Sequence, residues 1–80
     1  MLPEVLQEFI KENIFAILTG EVVEIDKSVD GCHYLTVYLY EYDNRNKCYW
    51  VRFNKKFERM HMHDYACVNE FGEQQPYILV

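Results

Sequence analysis

His33-Tyr34-Leu35-Thr36-Val37-Tyr38-Leu39-Tyr40-Glu41-Tyr42, followed after a short break by Cys48-Tyr49-Trp50-Val51-Arg52-Phe53, alternates between two kinds of side chain. Leu35, Val37, Leu39, Tyr49, Val51 and Phe53 fall at odd positions; Tyr34, Tyr38, Tyr40, Tyr42, Trp50 and Arg52 fall at even ones. Successive side chains of a strand point to opposite faces, so both segments read as strands with one aliphatic face and one aromatic face. A sheet needs one apolar face to build a core. The second face therefore calls for a cover or a partner.

The polar breaks on either side set the register. Val29-Asp30-Gly31 precedes the first strand and Asn44-Arg45-Asn46 follows it. Three-residue loops would pair Ile25 with Leu35, Val23 with Val37, Leu39 with Val51 and Val37 with Phe53, apolar against apolar. They would also set Tyr40 opposite Trp50, Tyr38 opposite Arg52 and Tyr42 opposite Cys48. A slip of one residue would turn the aliphatic side chains out of the core. Gly31 and Asn46 occupy the loop position that takes positive φ. The expectation is a three-stranded antiparallel meander with Glu21–Lys27 as its first strand.

Upstream, Leu2, Val5, Leu6, Phe9, Ile10, Asn13, Ile14 and Ile17 follow the i, i+3, i+4 spacing of an amphipathic helix, with Glu4, Glu8 and Glu12 outside. Pro3 suits the first turn and Gly20 a C-terminal stop. The spacing predicts a helix from residue 3 to about 13, and leaves open whether it continues to Leu18. Downstream, Phe57, Met60, Cys67, Val68 and Phe71 fall on one helical stripe ahead of Gly72, which predicts a second helix over 55–71. The alternation in Met60-His61-Met62-His63 keeps a strand over 65–71 as the alternative. Tyr77-Ile78-Leu79-Val80 reads as a short terminal strand or packed tail. Residues 1–80 thus form a single two-layer α+β domain, with the helices on the odd-numbered face and the tyrosines facing out.

The chain has 80 residues and a formal charge of −5, with half of its residues hydrophobic, which suits a small folded domain rather than a disordered segment. Nothing in it approaches the roughly 20 apolar residues of a membrane span, and its start lacks the basic and apolar regions of a secretory signal. Cys32, Cys48 and Cys67 are odd in number and widely spaced, which reads as free thiols in a reducing cytoplasm. Acidic residues dominate 1–43, whereas Arg45, Lys47, Arg52, Lys55, Lys56 and Arg59 crowd six of the eight basic residues into 45–59.

The functional expectation follows from the aromatic face. Tyr38, Tyr40, Tyr42, Trp50 and Arg52, with Lys55 and Lys56 at the rim, have the composition of a protein-binding hot spot. The chain reads as a small acidic, non-enzymatic binding protein, an inhibitor or adaptor of the kind also encoded by phages and other mobile elements. A second copy docking on the same face is a further expectation. The alternative is a single-stranded nucleic-acid binder, with bases stacked on the rings and phosphates tracked by the 45–59 segment, although the net charge repels a polyanion. His61, His63 and the cysteines lack the paired short spacing of a zinc site, so no metal is expected. His63-Asp64 near Cys67 has the residue types of a nucleophile and base but nothing to orient them. No phosphate-binding glycine loop is present, and no cofactor is expected.

Overall fold

The computed structural model describes residues 2–76. Its elements are α1 (Glu4–Leu18), β1 (Val23–Val29), β2 (Cys32–Asp43), β3 (Cys48–Phe57) and β4 (Met60–Val68). The four strands form one antiparallel sheet in the order β1-β2-β3-β4. The architecture is α+β, as the alternation and the helical spacing predict. The expected terminal strand at 77–80 lies outside the described residues.

α1 runs on to Leu18, past the boundary near residue 13. Its end is fixed by Gly20, at φ 94°, where the Gly20 N–H donates to the Ile17 carbonyl and the Glu21 N–H to the Ala16 carbonyl. These two bonds satisfy carbonyls that the last turn would leave orphaned, and glycine takes the left-handed conformation without strain. Leu6, Ile10 and Ile17 are fully buried and join one cluster with Ile25, Tyr34, Val37, Val51, Phe53, Ala66 and Val68 of the sheet. Each large apolar side chain buried there contributes about 1.5–3 kcal/mol.

Residues 60–68 are strand, not helix, so the described residues contain no second helix. β4 pairs with β3 without a break from Met60 opposite Phe57 to Val68 opposite Tyr49. The helical stripe misled because Cys67 and Val68, adjacent on it, go to opposite sides of the sheet. Ala66 and Val68 face the core, whereas His61, His63, Tyr65 and Cys67 share the other face with Trp50, Arg52 and Lys56. β3 would otherwise be an edge; pairing its backbone along its whole length outweighs a weak helical preference.

The central pairs Val23–Val37, Val37–Phe53, Tyr38–Arg52 and Leu39–Val51 stand as the parity argument places them. The loops differ. Val29 pairs with Cys32, so Asp30 and Gly31 alone make the first turn, both at positive φ as a two-residue hairpin requires. Asp43 pairs with Cys48 around a loop of residues 44–47, with Lys47 at φ 55°. Three irregularities absorb the difference: between Glu24 and Lys27 in β1, and between Tyr34 and Thr36 and between Leu39 and Glu41 in β2. A bulge adds one residue to a strand and reverses the facing of what lies beyond it.

The facing of Tyr34, Leu35 and Tyr42 therefore reverses. Tyr34 faces the core, 5% exposed, edge-on to Phe53 with ring centroids 5.7 Å apart. Leu35 leaves the core and lines a shallow cavity instead. Beyond the second β2 irregularity, Trp50 stands opposite Glu41 rather than Tyr40, and Tyr42 opposite Tyr49 rather than Cys48.

The thiols also differ from expectation. Cys48 and Cys67 form a disulfide between β3 and β4 with Cα atoms 5.9 Å apart, and Cys32 alone is free. Read as a helix, 55–71 gave no reason to set Cys67 beside Cys48; adjacent antiparallel strands do. With Cys48 and Cys67 paired, the cysteines no longer point to a reducing compartment.

Candidate binding face

Arg52 is the centre of the outward face. Its guanidinium carbon lies 6.0 Å from the ring centroid of Tyr38 and 5.8 Å from those of Tyr40 and Tyr65. Tyr40 and Tyr65 meet edge to face at 5.2 Å, closing the ring of aromatics across β2, β3 and β4. Such a cation over a ring is stabilised by roughly 0.5–1 kcal/mol at an exposed site. Tyr40 keeps the outward facing that alternation from Tyr38 gives it, and is the residue with no β3 partner between Leu39 and Glu41.

One Arg52 Nη2 donates toward the His63 ring, 2.8 Å from Nε2 and 3.1 Å from Nδ1. An arginine N–H only donates, so the ring nitrogen that receives it offers a lone pair. Arg52 Nε is buried and makes no hydrogen bond among the described residues, and no carboxylate there forms an ion pair with Arg52. The cation is held by π faces and an imidazole, with its charge not neutralised locally.

The remaining predicted site residues divide. Trp50 lies on this face at its turn end, where its Nε1 donates to Asp43 Oδ2 at 3.0 Å. Asp43 also accepts from the backbone N–H groups of Arg45 and Asn46 and from Asn46 Nδ2. The Trp50 bond first, then those from Asn46 and Arg45, hold its carboxyl well below the usual carboxylate range. Lys56 is exposed at the opposite end of the face, across from His61. Tyr42 is turned to the other side of the sheet, edge-on to Tyr49 at 4.8 Å.

Lys55 is also on the other side, and is not a rim residue. Its Nζ lies 2.7 Å from Asp64 Oδ2, which accepts the Tyr34 hydroxyl at the same distance. Burial, then the hydrogen bond to Asp64, pushes the Tyr34 hydroxyl up to about 12. The Asp64 bond likewise raises Lys55. Burial alone would raise the Asp64 carboxyl, but the bonds from Lys55 and Tyr34 outweigh it and hold that carboxyl below its ordinary value. This triad fastens β2, β3 and β4 at the edge of the core.

Sequence reasoning missed Tyr65 and His63 as members of the face. The signal was present in the alternation His61, His63, Tyr65, which shares a side only on a strand.

A second polar cluster sits on the β1–β2 half of the same face. Ser28 Oγ is 2.8 Å from His33 Nδ1, and His33 Nε2 is 3.1 Å from Asp26 Oδ1. A cavity of about 300 Å³, lined by Glu24, Asp26, His33, Leu35 and Thr36, opens beside it. The residue types are those of a proton relay. However, the Asp26 side chain is 92% exposed, so water screens its charge, whereas a relay that drives chemistry needs preorganised charge in a site that excludes water. Among the described residues, no group of histidine, cysteine and acidic side chains is arranged to hold a metal ion. None of the described helices is long and apolar enough to cross a membrane.

No protein-family model matches the chain, and neither a curated protein nor a solved structure matches it.

Proposed function

We propose that this chain is a non-enzymatic binding protein that docks a protein partner on the outward face of β2, β3 and β4. The contact residues are Tyr38, Tyr40, Tyr65 and Arg52, with Trp50 and Lys56 at the two ends. One observation carries the reading: an arginine whose charge no described carboxylate balances is ringed by three tyrosines, of which Tyr40 is 49% and Tyr65 42% exposed. Rigid rings bury large areas at little entropic cost, and arginine adds directional donors, which is why both are enriched at interface hot spots. A protein of this size acting through one face would serve as a stoichiometric inhibitor or an adaptor.

The test is capture of partners from the source cells by the wild type and by a Tyr40→Ala, Tyr65→Ala variant. A genuine partner is retained by the first and lost by the second, while the far-UV CD spectrum is kept and the melting temperature falls by only about 4–8 °C. Equal capture by both proteins refutes the assignment of the face.

A second reading rests on Arg52 and Lys56 flanking the same rings: bases of a single strand would stack on the tyrosines while the two cations meet phosphates. Fluorescence anisotropy with labelled oligonucleotides at two salt concentrations separates the readings, since phosphate contacts weaken steeply with salt.

A further inference from the structure

Charge on the outward side of the sheet is sorted by position. Its acids stand in β1, as Glu24 and Asp26, and at the turn end of β2, as Glu41 and Asp43. The β3–β4 half is different. Its outward residues are Trp50, Arg52, Asn54 and Lys56 on β3, opposed in turn by Cys67, Tyr65, His63 and His61 on β4. Arginine, lysine and two imidazoles are among them, and no acid is. On a chain of formal charge −5 this is a local reversal of sign.

These side chains are within reach of a ligand. Tyr40, Lys56, His61, His63 and Tyr65 are all exposed. Arg52 Nη2 donates only to the His63 ring among the described residues, at 2.8 Å from Nε2 and 3.1 Å from Nδ1. That contact needs a lone pair on the imidazole, because a guanidinium only donates. A carboxylate is a stronger acceptor for the same group and can take two parallel N–H bonds from it.

We propose that the segment of the partner protein that docks here is acidic: one of its carboxylates takes Arg52 from His63 while its apolar side chains cover Tyr40 and Tyr65. This rests on the reading of the face as a docking surface and names the chemistry of the partner. Charge complementarity selects the occupant. A short acidic segment meets Arg52 and Lys56 and stays on the basic half. A nucleic acid would run its phosphates past these two fixed cations onto the acids of β1 and the turn. The imidazoles make the affinity depend on pH, since histidine changes charge between about pH 5 and 8. Protonated, His63 no longer accepts from Arg52; it frees the guanidinium and adds a second cation beside it. The groups facing His63 are Arg52 and Lys56 on β3, Tyr38 and Tyr40 of β2 across Arg52, and His61 and Tyr65 on its own strand. None of these is a carboxylate, so the carboxylate of the ligand is what compensates the new charge. Binding therefore tightens as pH falls from about 8 to about 6.

Fluorescence anisotropy tests this with a short labelled peptide of alternating glutamate and leucine, the same peptide carrying glutamine for glutamate, and a labelled oligothymidylate. At about pH 6 the glutamate peptide should bind at least about tenfold more tightly than the glutamine one. Its affinity should rise about threefold or more between about pH 8 and about pH 6. His61→Gln with His63→Gln should flatten that rise, which assigns it to these imidazoles rather than to His33. Arg52→Gln should weaken the glutamate peptide at least about tenfold. The wild-type comparisons hold whether or not a variant folds. Equal binding of the two peptides, including none by either, overturns the proposal, as does a wild-type affinity that is flat with pH. Tighter binding of the oligothymidylate also overturns it and gives the face to phosphate. If any of these occurs while Tyr40→Ala with Tyr65→Ala still loses a captured partner, the acidic partner alone is refuted. Capture indifferent to those tyrosines refutes the docking reading itself.

Discussion

β3 has two sides with opposite characters. Inward, Val51 and Phe53 are sealed and make the floor of the core. Outward, two residues apart on the same strand, Trp50 and Arg52 remain half-buried and sit among polar partners. The inner side is organised by volume, where any missing methyl is felt. The outer side is organised by charge and ring orientation, which bear lightly on folding and heavily on recognition. Stability and binding are thus assigned to alternate residues of one strand and should be separable by mutation.

Phe53→Ala breaks the inner side hardest. It empties a fully buried site between α1 and the sheet and should cost about 3–5 kcal/mol in urea unfolding. The disulfide comes next and sharpens the contrast, because Cys48 and Cys67 are the sealed spot on the outer side. Replacing both by serine should cost about 2–4 kcal/mol while leaving the strand pairing intact by amide exchange.

Tyr34→Phe tests the boundary between the sides. Removing the hydroxyl takes one hydrogen bond from a charged acceptor and should cost about 1.5–3 kcal/mol. Its pH signature has a definite sign. The hydroxyl is harder to ionise in the folded state, about 12 against an ordinary 10.0, so its contribution is complete below pH 10 and is lost as pH rises toward 12. Absorbance at alkaline pH should show one tyrosine titrating late, and Tyr34→Phe should abolish that step. The smallest effect belongs to the outer side: Tyr40→Ala with Tyr65→Ala should shift stability by only about 1 kcal/mol, a loss that urea unfolding will register even as partner capture disappears.

The sequence made α1 and the central pairing legible because both rest on strong periodicity. Ile10 and Val37 are where spacing alone puts them. The irregularities of β2 were not legible, since no glycine or proline marks Leu35 or Tyr40; only the pairing itself shows the extra residue. That concealment moved Tyr34 into the core and Tyr42 off the candidate face. β4 was legible only as the alternative, a strand over 65–71, for a different reason. Within 55–71 a few apolar residues satisfy a helical stripe as well as a strand, and only the open backbone of β3 decides between them. Tyr38, Tyr40 and Arg52 were found from β2 and β3 alone; Tyr65 and His63 depended on that decision. Lys55 was misassigned because the 45–59 charge cluster is continuous in sequence but divided between two faces by the pleat.

The tether between Trp50 and Asp43 has a practical consequence. The chain contains one tryptophan, and its indole is anchored to the carboxylate that also ties down the 44–47 turn. Its emission is therefore an intrinsic optical gauge of whether this hairpin is closed, readable without dye or label.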